Sequence, residues 1–287
     1  MISPMVRRRR LAAELRQLRV EAKLTNAALC KKLGWSPTKI SRMENATYPP
    51  NMADVMKLLR ELDVPSTRAH RITEIAREAA ERGWWQDFGE HMGARQRVNA
   101  DLEWGAQTIA EYMNVVIPGA LQSAEYTRSR GRIAMLRGER TSEKDLDLTV
   151  EARLARQQML RRPDGPKYEA IVDEIILMRP QVPREIMREQ LLQLAETAEQ
   201  DPSIVVRMLP VKVEVEDHWL PVSSFSAYTY PEPDDPDVVL LEGEAADTVL
   251  SDEVEVAPYR QLFDRLRAAS LEPSETVIRL RTAAADI

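Results

Sequence analysis

A short segment near the N-terminus places four hydrogen-bonding side chains on one side of an expected helix: Thr38, Lys39, Ser41 and Arg42. Ile40 and Met43 fall on the other side at helical spacing, so they are expected to point into a core. Hydroxyl, ammonium and guanidinium groups can bond the base edges and phosphates of DNA. The segment therefore predicts a helix whose outer face contacts DNA.

Two short helices joined by a tight turn are needed to hold this face outward. Thr25 is expected to cap the first helix and Gly34 to end it, because glycine adopts a positive φ at little cost. Ser36 should cap the second helix, with Pro37 in its first turn, where the missing N–H is not needed. The first helix should bury three side chains: Ala28, Leu29 and Leu33. This layout is that of a helix-turn-helix, which inserts its second helix into the major groove.

The pattern L-T-x-x-x-L-x-x-x-x-G-x-S-x-x-x-I-S-R-x-E-N-x-x-x-x-P begins at Leu24. On this pattern, residues 8–64 resemble the Xre-type family of phage repressors and Cro proteins. The resemblance implies that Thr38, Lys39 and Arg42 face base edges. There Lys39 and Arg42 could bond O6 and N7 of guanine, a contact that discriminates by roughly 1–3 kcal/mol. Asn26 departs from the family, which usually has a phosphate-contacting glutamine there. Pro37 also departs, because members often have a base-reading residue at that position.

Charge is divided unevenly along the chain. Residues 1–82 carry 17 Lys and Arg against 9 Asp and Glu, a net charge of +8, whereas residues 83–287 carry −14. A basic module suits phosphate binding, which favours DNA contact over a helical hairpin whose polar face is merely solvated. The four arginines at 7–10 could form an arm on the DNA or the solvated start of the first helix. The expected DNA-binding residues are Thr25, Asn26, Ser36, Thr38, Lys39, Ser41, Arg42, Arg7 and Arg8.

Length predicts two domains, with residues 1–82 as a five-helix DNA-binding domain and residues 83–287 as a regulatory or interaction domain. No run of about 18 apolar residues predicts a membrane span. The arginine-rich start lacks the apolar stretch of a secretory signal. The single cysteine, Cys30, excludes an internal disulfide and suits a reducing compartment. We therefore expect a cytoplasmic protein that is nucleoid-associated when bound to DNA.

Periodicity predicts the elements of both domains. Further helices of the first domain should span residues 8–22, 52–62 and 67–82. Helices of the second should span residues 101–114, 123–137, 141–161, 184–199, 258–269 and 274–282. Strands are predicted at residues 168–178, 203–209, 223–230 and 238–241, with a parallel crossover between the first two. Residues 231–236 should form an exposed turn. The expected fold class is a mainly α N-terminal domain followed by an α+β domain with a small mixed sheet.

A scattered set of motifs marks the second domain: Trp84-Trp85, Glu103, IPGALQ at 117–122 with Tyr126, Arg153, Arg156-Gln157, Asp173-Glu174, Gln190-Leu191, Val206, Leu209-Pro210, Phe225 and Glu242. On these, residues 83–280 resemble an actinobacterial domain of unknown function that follows Xre-type heads in WhiJ-like developmental regulators. The resemblance implies control of development or secondary metabolism and a small acidic or antitoxin-like partner protein encoded nearby. It implies no known ligand or reaction. Ala120 and Ser123 depart mildly, because the family usually has Leu and Thr there.

Groups suited to catalysis or metal binding are sparse. The three histidines, His70, His91 and His218, stand at no metal-ligand spacing. No glycine-rich phosphate loop or recognisable catalytic triad occurs. We therefore expect no catalytic residue, no metal and no cofactor, and the chain is not predicted to be an enzyme.

One group of charged residues leaves several readings open: Arg153, Arg156, Asp173, Glu174 and Glu242. They could form an ion-pair network, a ligand or partner site, or an acid–base pair if burial shifted their pKa values. The adjacent tryptophans at the domain junction could pack the domains together or floor a pocket. The ligand or partner candidates are Trp84, Trp85, Trp104, Arg153, Arg156, Glu174 and Glu242.

The leading hypothesis is a sequence-specific transcriptional regulator of the repressor type that binds double-stranded DNA as a homodimer. Dimeric heads predict half-sites roughly 34–36 Å apart. The second domain should respond to a small partner protein or a small-molecule effector, the latter in a pocket behind Trp84, Trp85, Trp104 and Trp219. The alternative is an antitoxin-like interaction module whose main role is to bind a small partner.

Overall fold

The computed structural model describes residues 1–136, 142–243 and 246–287, which separate into two compact units. The first unit consists of residues 1–86 and 231–236, and the second of residues 87–230 and 237–287. The helix end expected at residue 137 and the helix start expected at residue 141 lie outside the described residues. A helical region followed by helices and a six-stranded mixed sheet confirms the predicted fold class.

Five helices build the first unit: α1 (Pro4–Glu21), α2 (Asn26–Leu33), α3 (Pro37–Glu44), α4 (Met52–Glu61) and α5 (Ser66–Ala80). The capping pattern in the sequence sets their starts. The Thr25 hydroxyl accepts a hydrogen bond from the N–H of Ala28 at 3.2 Å, and the Ser36 hydroxyl accepts one from the N–H of Lys39 at 3.3 Å. Gly34 follows α2 with a φ of 66°, in the left-handed region that favours glycine. The predicted caps and turn are therefore present.

One apolar core joins the five helices, and its buried residues include Leu11, Leu15, Leu29, Leu33, Ile40, Val55, Leu58 and Ile72. Ala28 was predicted to be buried but is exposed, and Cys30 takes an inward position instead. The buried stripe of α2 runs through positions 29, 30 and 33, so position 28 lies on its outer side. Ile40 is the fully buried apolar anchor of α3. Its burial turns the polar side of α3 away from the core.

An ion pair between the partly buried Arg19 and the buried Glu44 ties the end of α3 to α1. Arg19 donates from Nε to Oε1 of Glu44 at 2.7 Å and from Nη2 to Oε2 at 2.8 Å, so the contact is bidentate. The hydrogen bond that Arg19 donates to this carboxylate raises the pKa of Arg19. Arg16 adds a bond from Nη2 to the backbone oxygen of Glu44 at 2.9 Å. The two arginines and the core contact of Ile40 therefore fix both the depth and the direction of α3.

A second set of ion pairs surrounds the start of α1. Arg7 contacts Oε2 of Glu78 and Oδ1 of Asp235, each at 3.0 Å, and its side chain is only 4% exposed. Arg10 contacts Oδ2 of Asp234 at 2.8 Å and Oδ1 of Asp235 at 3.2 Å. The turn at 231–236 is largely exposed as predicted, yet the Asp235 side chain is 5% exposed. Residues 7 and 10 are therefore neither a free arm nor a solvated helix start.

The sheet of the second unit has the order β3-β2-β1-β4-β5-β6. Its strands are β1 (Thr108–Met113), β2 (Lys167–Asp173), β3 (Ile204–Leu209), β4 (Phe225–Thr229), β5 (Val238–Leu241) and β6 (Thr248–Leu250). β1, β2 and β3 run parallel, whereas β4 pairs antiparallel with β1, β5 with β4, and β6 with β5. The predicted parallel crossover from β2 to β3 is confirmed.

Seven helices accompany this sheet in the described residues: α6 (Ala94–Trp104), α7 (Ala124–Leu136), α8 (Glu143–Leu160), α9 (Ile175–Met178), α10 (Arg184–Gln200), α11 (Glu253–Ala269) and α12 (Pro273–Ala285). Short 3₁₀ segments lie at Trp84–His91, Gly119–Leu121 and Glu216–His218. α11 begins before its predicted start because Asp252 caps it, accepting from the N–H of Val254 at 2.9 Å. β6 was not predicted.

The predicted helix at 101–114 is wrong. α6 ends at Trp104, Gly105 follows, and β1 begins at Thr108. Apolar residues at 102, 109 and 113 mimic a helical period, but Ile109 and Tyr112 also suit a strand. β1 pairs with β2 on one side and β4 on the other, and this long-range pairing overrides the local pattern.

The predicted strand at 168–178 is too long. β2 ends at Asp173, whose side chain accepts from the N–H of Ile175 at 3.0 Å. This local cap turns the chain into α9.

Replacing Glu44 with glutamine tests the anchor of α3. Glu44→Gln removes the negative charge and leaves the partly buried guanidinium of Arg19 with a weaker acceptor, which should lower the free energy of unfolding of the first unit by roughly 1.5–3 kcal/mol. Hydrogen–deuterium exchange of the intact chain should show faster exchange in α3. The control is Glu74→Gln, because Glu74 pairs with Arg77 on the exposed surface and such pairs contribute little. Equal exchange in the two variants would contradict the role of Glu44.

Candidate functional site

The outer face of α3 consists of solvent-exposed polar side chains. Thr38, Ser41 and Arg42 are exposed, whereas Ile40 is buried and Met43 partly buried. Ser36 and Thr25 are also exposed, and their hydroxyls cap α3 and α2. Asn26 is exposed at the first position of α2. The N-termini of both helices therefore offer backbone N–H groups and positive dipole ends that suit phosphates.

Lys39 is held in place rather than fully extended into solvent. Its Nζ lies 2.6 Å from Oδ1 of Asp54 in the first turn of α4. The same Nζ lies 4.3 Å from the ring centroid of Trp35, a cation–π distance. Any other anion or hydrogen-bond acceptor can bind this ammonium group only in competition with Asp54.

Arg42 has a looser environment. Its guanidinium carbon lies 5.0 Å from the ring centroid of Tyr48, which is itself exposed. This contact restricts the arginine without supplying an acceptor. The N–H groups of Arg42 can thus donate to an external acceptor while the guanidinium stays in its cation–π contact with the Tyr48 ring.

The face of α3 borders a groove of about 350 Å³ in the first unit. Thr38, Lys39 and Arg42 line it together with Arg8 of α1. Arg8 also donates from Nε to the backbone oxygen of Pro4 at 3.2 Å. The structure therefore brings Arg8 to the α3 face, whereas Arg7 lies in the ion pairs described above.

The second unit contains a polar cavity of about 480 Å³. Arg153, Arg156 and Glu242 line it, so three residues of the predicted ligand or partner set lie together. Arg156 binds the Glu103 carboxylate with Nε and Nη2, both at 2.6 Å, and both side chains are buried. Arg153 donates from Nη1 to Oε1 of Gln122 at 2.5 Å. An arginine cluster thus forms one side of the cavity.

Glu111 on β1 is the acidic group that sequence reasoning missed. It is buried, lines the cavity and accepts a hydrogen bond from the Tyr168 hydroxyl. Burial raises the pKa of Glu111 from its ordinary 4.5 to about 7, against the opposing effect of Tyr168. Burial also raises the pKa of Glu242. Glu111 was hidden inside the wrongly predicted helix, although its position between Ile109 and Met113 alternates as a strand does.

The other candidates lie outside the cavity wall, as far as the described residues form it. Glu174 pairs with Nε of Arg279 at 2.7 Å and accepts from the N–H of Val211 at 3.0 Å. Asp173 accepts from the Tyr112 hydroxyl at 2.8 Å. Glu174 therefore belongs to an ion pair and Asp173 to a structural hydrogen bond. Neither residue lies in the described wall of the cavity beside the arginine cluster.

The tryptophans form separate contacts. Trp84 and Trp85 meet edge to face with ring centroids 6.1 Å apart, and Trp85 is buried. Trp104 lies 5.2 Å from the guanidinium carbon of Arg162. Trp219 lies 5.2 Å from that of Arg265. None of the four is part of the described wall of the cavity.

Two negative findings apply to the described part of the chain. Residues 1–136, 142–243 and 246–287 contain no group of three or more His, Cys, Asp or Glu side chains placed to hold a metal ion. Within the same residues, every helix is too short or too polar to cross a membrane.

Comparison with known families finds two matches, which cover separate parts of the chain. The family described as a helix-turn-helix domain matches residues 10–71. The family described as a domain of unknown function (DUF5753) matches residues 96–282, more than half of the chain. Neither the curated proteins nor the solved structures contain a significant match. The first match points to a DNA-binding regulator, and the second covers most of the unit that holds the polar cavity.

The raised pKa of Glu111 makes stability depend on pH. The folded chain holds this proton up to about pH 7, whereas the unfolded chain releases it near pH 4.5. The stabilisation of the folded state that comes from the protonated Glu111 is therefore fully present below pH 4.5. It is lost as the pH rises to about 7, and the loss is about 3 kcal/mol. Glu111→Gln cannot ionise, so its unfolding free energy should fall less between pH 5 and 7.5.

Chemical denaturation at the two pH values measures this difference. The pKa of Glu111 also depends on interactions with four neighbouring groups: Tyr168, Glu242, Arg156 and Glu103. Part of the pH dependence should therefore remain in the variant. Glu216→Gln is the control, because Glu216 is an exposed carboxylate paired with Arg265. Identical pH slopes for the wild type and Glu111→Gln would show that Glu111 ionises normally.

Proposed function

Because the chain belongs to the DUF5753 family and carries a helix-turn-helix domain before that region, we propose that it is a sequence-specific transcriptional regulator. The observation that carries this proposal is the outward polar face of α3, fixed by Ile40 and by the Arg19–Glu44 pair. In this proposal α3 enters the major groove, Arg42 and Lys39 contact bases, and Thr25, Asn26, Ser36 and Arg8 contact phosphates.

The finer assignment extends the Xre-type resemblance. The protein binds as a homodimer of the repressor type to two half-sites roughly 34–36 Å apart. On the resemblance of its C-terminal unit, the protein is a WhiJ-like regulator of development or secondary metabolism. The protein acts in the cytoplasm on the nucleoid. The net charge of +8 in residues 1–82 supports contact with DNA, and the −14 of the remainder disfavours it there.

The second candidate function is an antitoxin-like module that binds a small partner protein. Exposed apolar side chains in residues 211–222 favour it, notably Val211, Leu220 and Val222. The protein is purified from its native cells at its natural expression level. Native mass spectrometry of this material would detect a small stoichiometric partner. A partner that releases bound DNA would join the two functions in one mechanism.

Arg42→Ala tests base reading by α3. Sites are first selected from random DNA with the wild-type protein. Loss of a bidentate guanine contact should weaken binding to the selected site by roughly 5- to 150-fold, while binding to scrambled DNA weakens much less. Fluorescence anisotropy at fixed salt measures both affinities. Arg77→Ala is the charge-matched control, because Arg77 is exposed on α5 and pairs with Glu74. The same loss of discrimination in both variants would contradict the proposal.

Asp54→Asn tests the competition for Lys39. Removing the carboxylate releases the ammonium group and deletes a negative charge at the proposed interface. The affinity for DNA should therefore rise, and the slope of log affinity against log salt should become steeper by about one counterion. Asp63→Asn is the control, since it makes the same charge change beyond the other end of α4. A lower affinity of Asp54→Asn than of Asp63→Asn would show that Asp54 supports DNA binding.

A further inference from the structure

The polar cavity of the second unit has the size and wall of a small-molecule site. Its volume of about 480 Å³ lies within the range of ligand pockets, about 300–1,000 Å³. Parts of α6, β1, α7 and α8 line it, so several elements converge on one space. Met113 and Val116 are its main apolar residues, whereas charged and amide side chains dominate the rest. This composition disfavours an apolar ligand.

Guanidinium groups crowd one side of the cavity. An ideal Cβ on Gly119 would lie 3.3 Å from Nη1 of Arg153 and 3.3 Å from Nη1 of Arg156, so both groups border the same small space. The absence of a side chain at residue 119 keeps that space open. Arg130 also lines the cavity and donates to Oε1 of Gln181 at 3.1 Å, a neutral acceptor that does not cancel its charge. Such a cluster suits an oxyanion, which accepts from arginine in pairs.

Hydrogen-bond acceptors form another part of the wall. Glu111 and Glu242 line the cavity, and burial leaves both carboxyl groups poorly hydrated. Gln96 also lines it and is 6% exposed. Its Oε1 has no hydrogen-bond partner among the described residues. A buried acceptor without a donor costs free energy, so this atom points to a donor that a ligand would bring.

We propose that this cavity binds a small polar molecule with a carboxylate or phosphate at one end and hydrogen-bond donors at the other. Arg130, Arg153 and Arg156 bind the oxyanion. Gln96, Glu111 and Glu242 accept from the hydroxyl or ammonium groups of the ligand. The proposal concerns the second unit alone and holds whether or not α3 reads DNA.

A purely structural polar network is the competing explanation of the same residues. It requires Gln96 for folding, so replacing Gln96 should destabilise the protein. The ligand proposal requires the opposite. Gln96→Leu keeps the size of the side chain and removes the unpartnered acceptor, so the ligand-free protein should be as stable as the wild type or more stable. The same change should weaken ligand binding.

Isothermal titration calorimetry and thermal melting of the full chain test the site with named probes. L-glutamate carries carboxylates and an ammonium group, ribose 5-phosphate carries a phosphate and hydroxyls, and ribose lacks the anion. We expect saturable binding of L-glutamate or ribose 5-phosphate with a Kd below about 1 mM, and none of ribose. Which probe binds decides between the carboxylate and the phosphate.

Three variants complete the test. Gln96→Leu and Arg153→Gln should each weaken binding of that probe by at least about tenfold. Arg161→Gln is the matched control, because Arg161 directly follows α8, lies outside the cavity wall and pairs with Asp201. Its affinity for the probe should equal that of the wild type.

Three results would each overturn the proposal. The first is that neither charged probe binds more tightly than ribose. The second is that binding survives both Gln96→Leu and Arg153→Gln, and the third is that binding falls equally in Arg161→Gln. These outcomes do not depend on whether Arg42→Ala loses DNA binding. The proposed DNA-binding function and the proposed ligand site can therefore fail separately.

Discussion

The docking of α3 is the constraint on which the helix-turn-helix face depends. Ile40 anchors the helix in the core, the Ser36 hydroxyl fixes its first turn, and Arg19 holds Glu44 at its last residue. These three contacts act at the middle, the start and the end of an eight-residue helix. A helix this short is not stable by itself in water. Its polar face therefore has a defined direction only because tertiary contacts supply it, and rigid placement is what base reading requires.

The first unit could be predicted largely because its signals are local. The hydroxyls of Thr25 and Ser36 each cap an N–H group three residues further along the chain. Gly34 ends α2 through its own positive φ. The apolar spacing of α1, α4 and α5 likewise repeats within each helix. Contacts between distant residues escaped prediction. The pairs that Arg7 and Arg10 form with Asp235 join residues more than 200 positions apart, and no local pattern encodes them.

The second unit was harder to predict for the same reason. β1 lies between β2 and β4, which follow it by about 60 and 120 residues, so its strand conformation depends on partners that a local window does not contain. Leu102, Ile109 and Met113 fit a helical period by coincidence. This error concealed Glu111, because a glutamate on an exposed helix is ordinary, whereas one on a central strand is buried. Arg153 and Arg156 were predicted together, whereas Arg130 was not, and the meeting of these arginines with Glu111 depends on the sheet.

Energetic cost distinguishes the polar cavity from a packed core. A buried Arg–Glu pair such as Arg156–Glu103 is often no more stable than apolar residues of the same volume. An open volume forfeits dispersion contacts, and an unpartnered Gln96 Oε1 adds a further cost. A unit selected for stability alone would fill this space with apolar side chains, as it does between β4 and α11 around Phe225 and Phe263. A ligand that binds only the folded state offsets these costs in proportion to the logarithm of its concentration over its Kd. The polar cavity is therefore better explained by an occupant than by the needs of the fold.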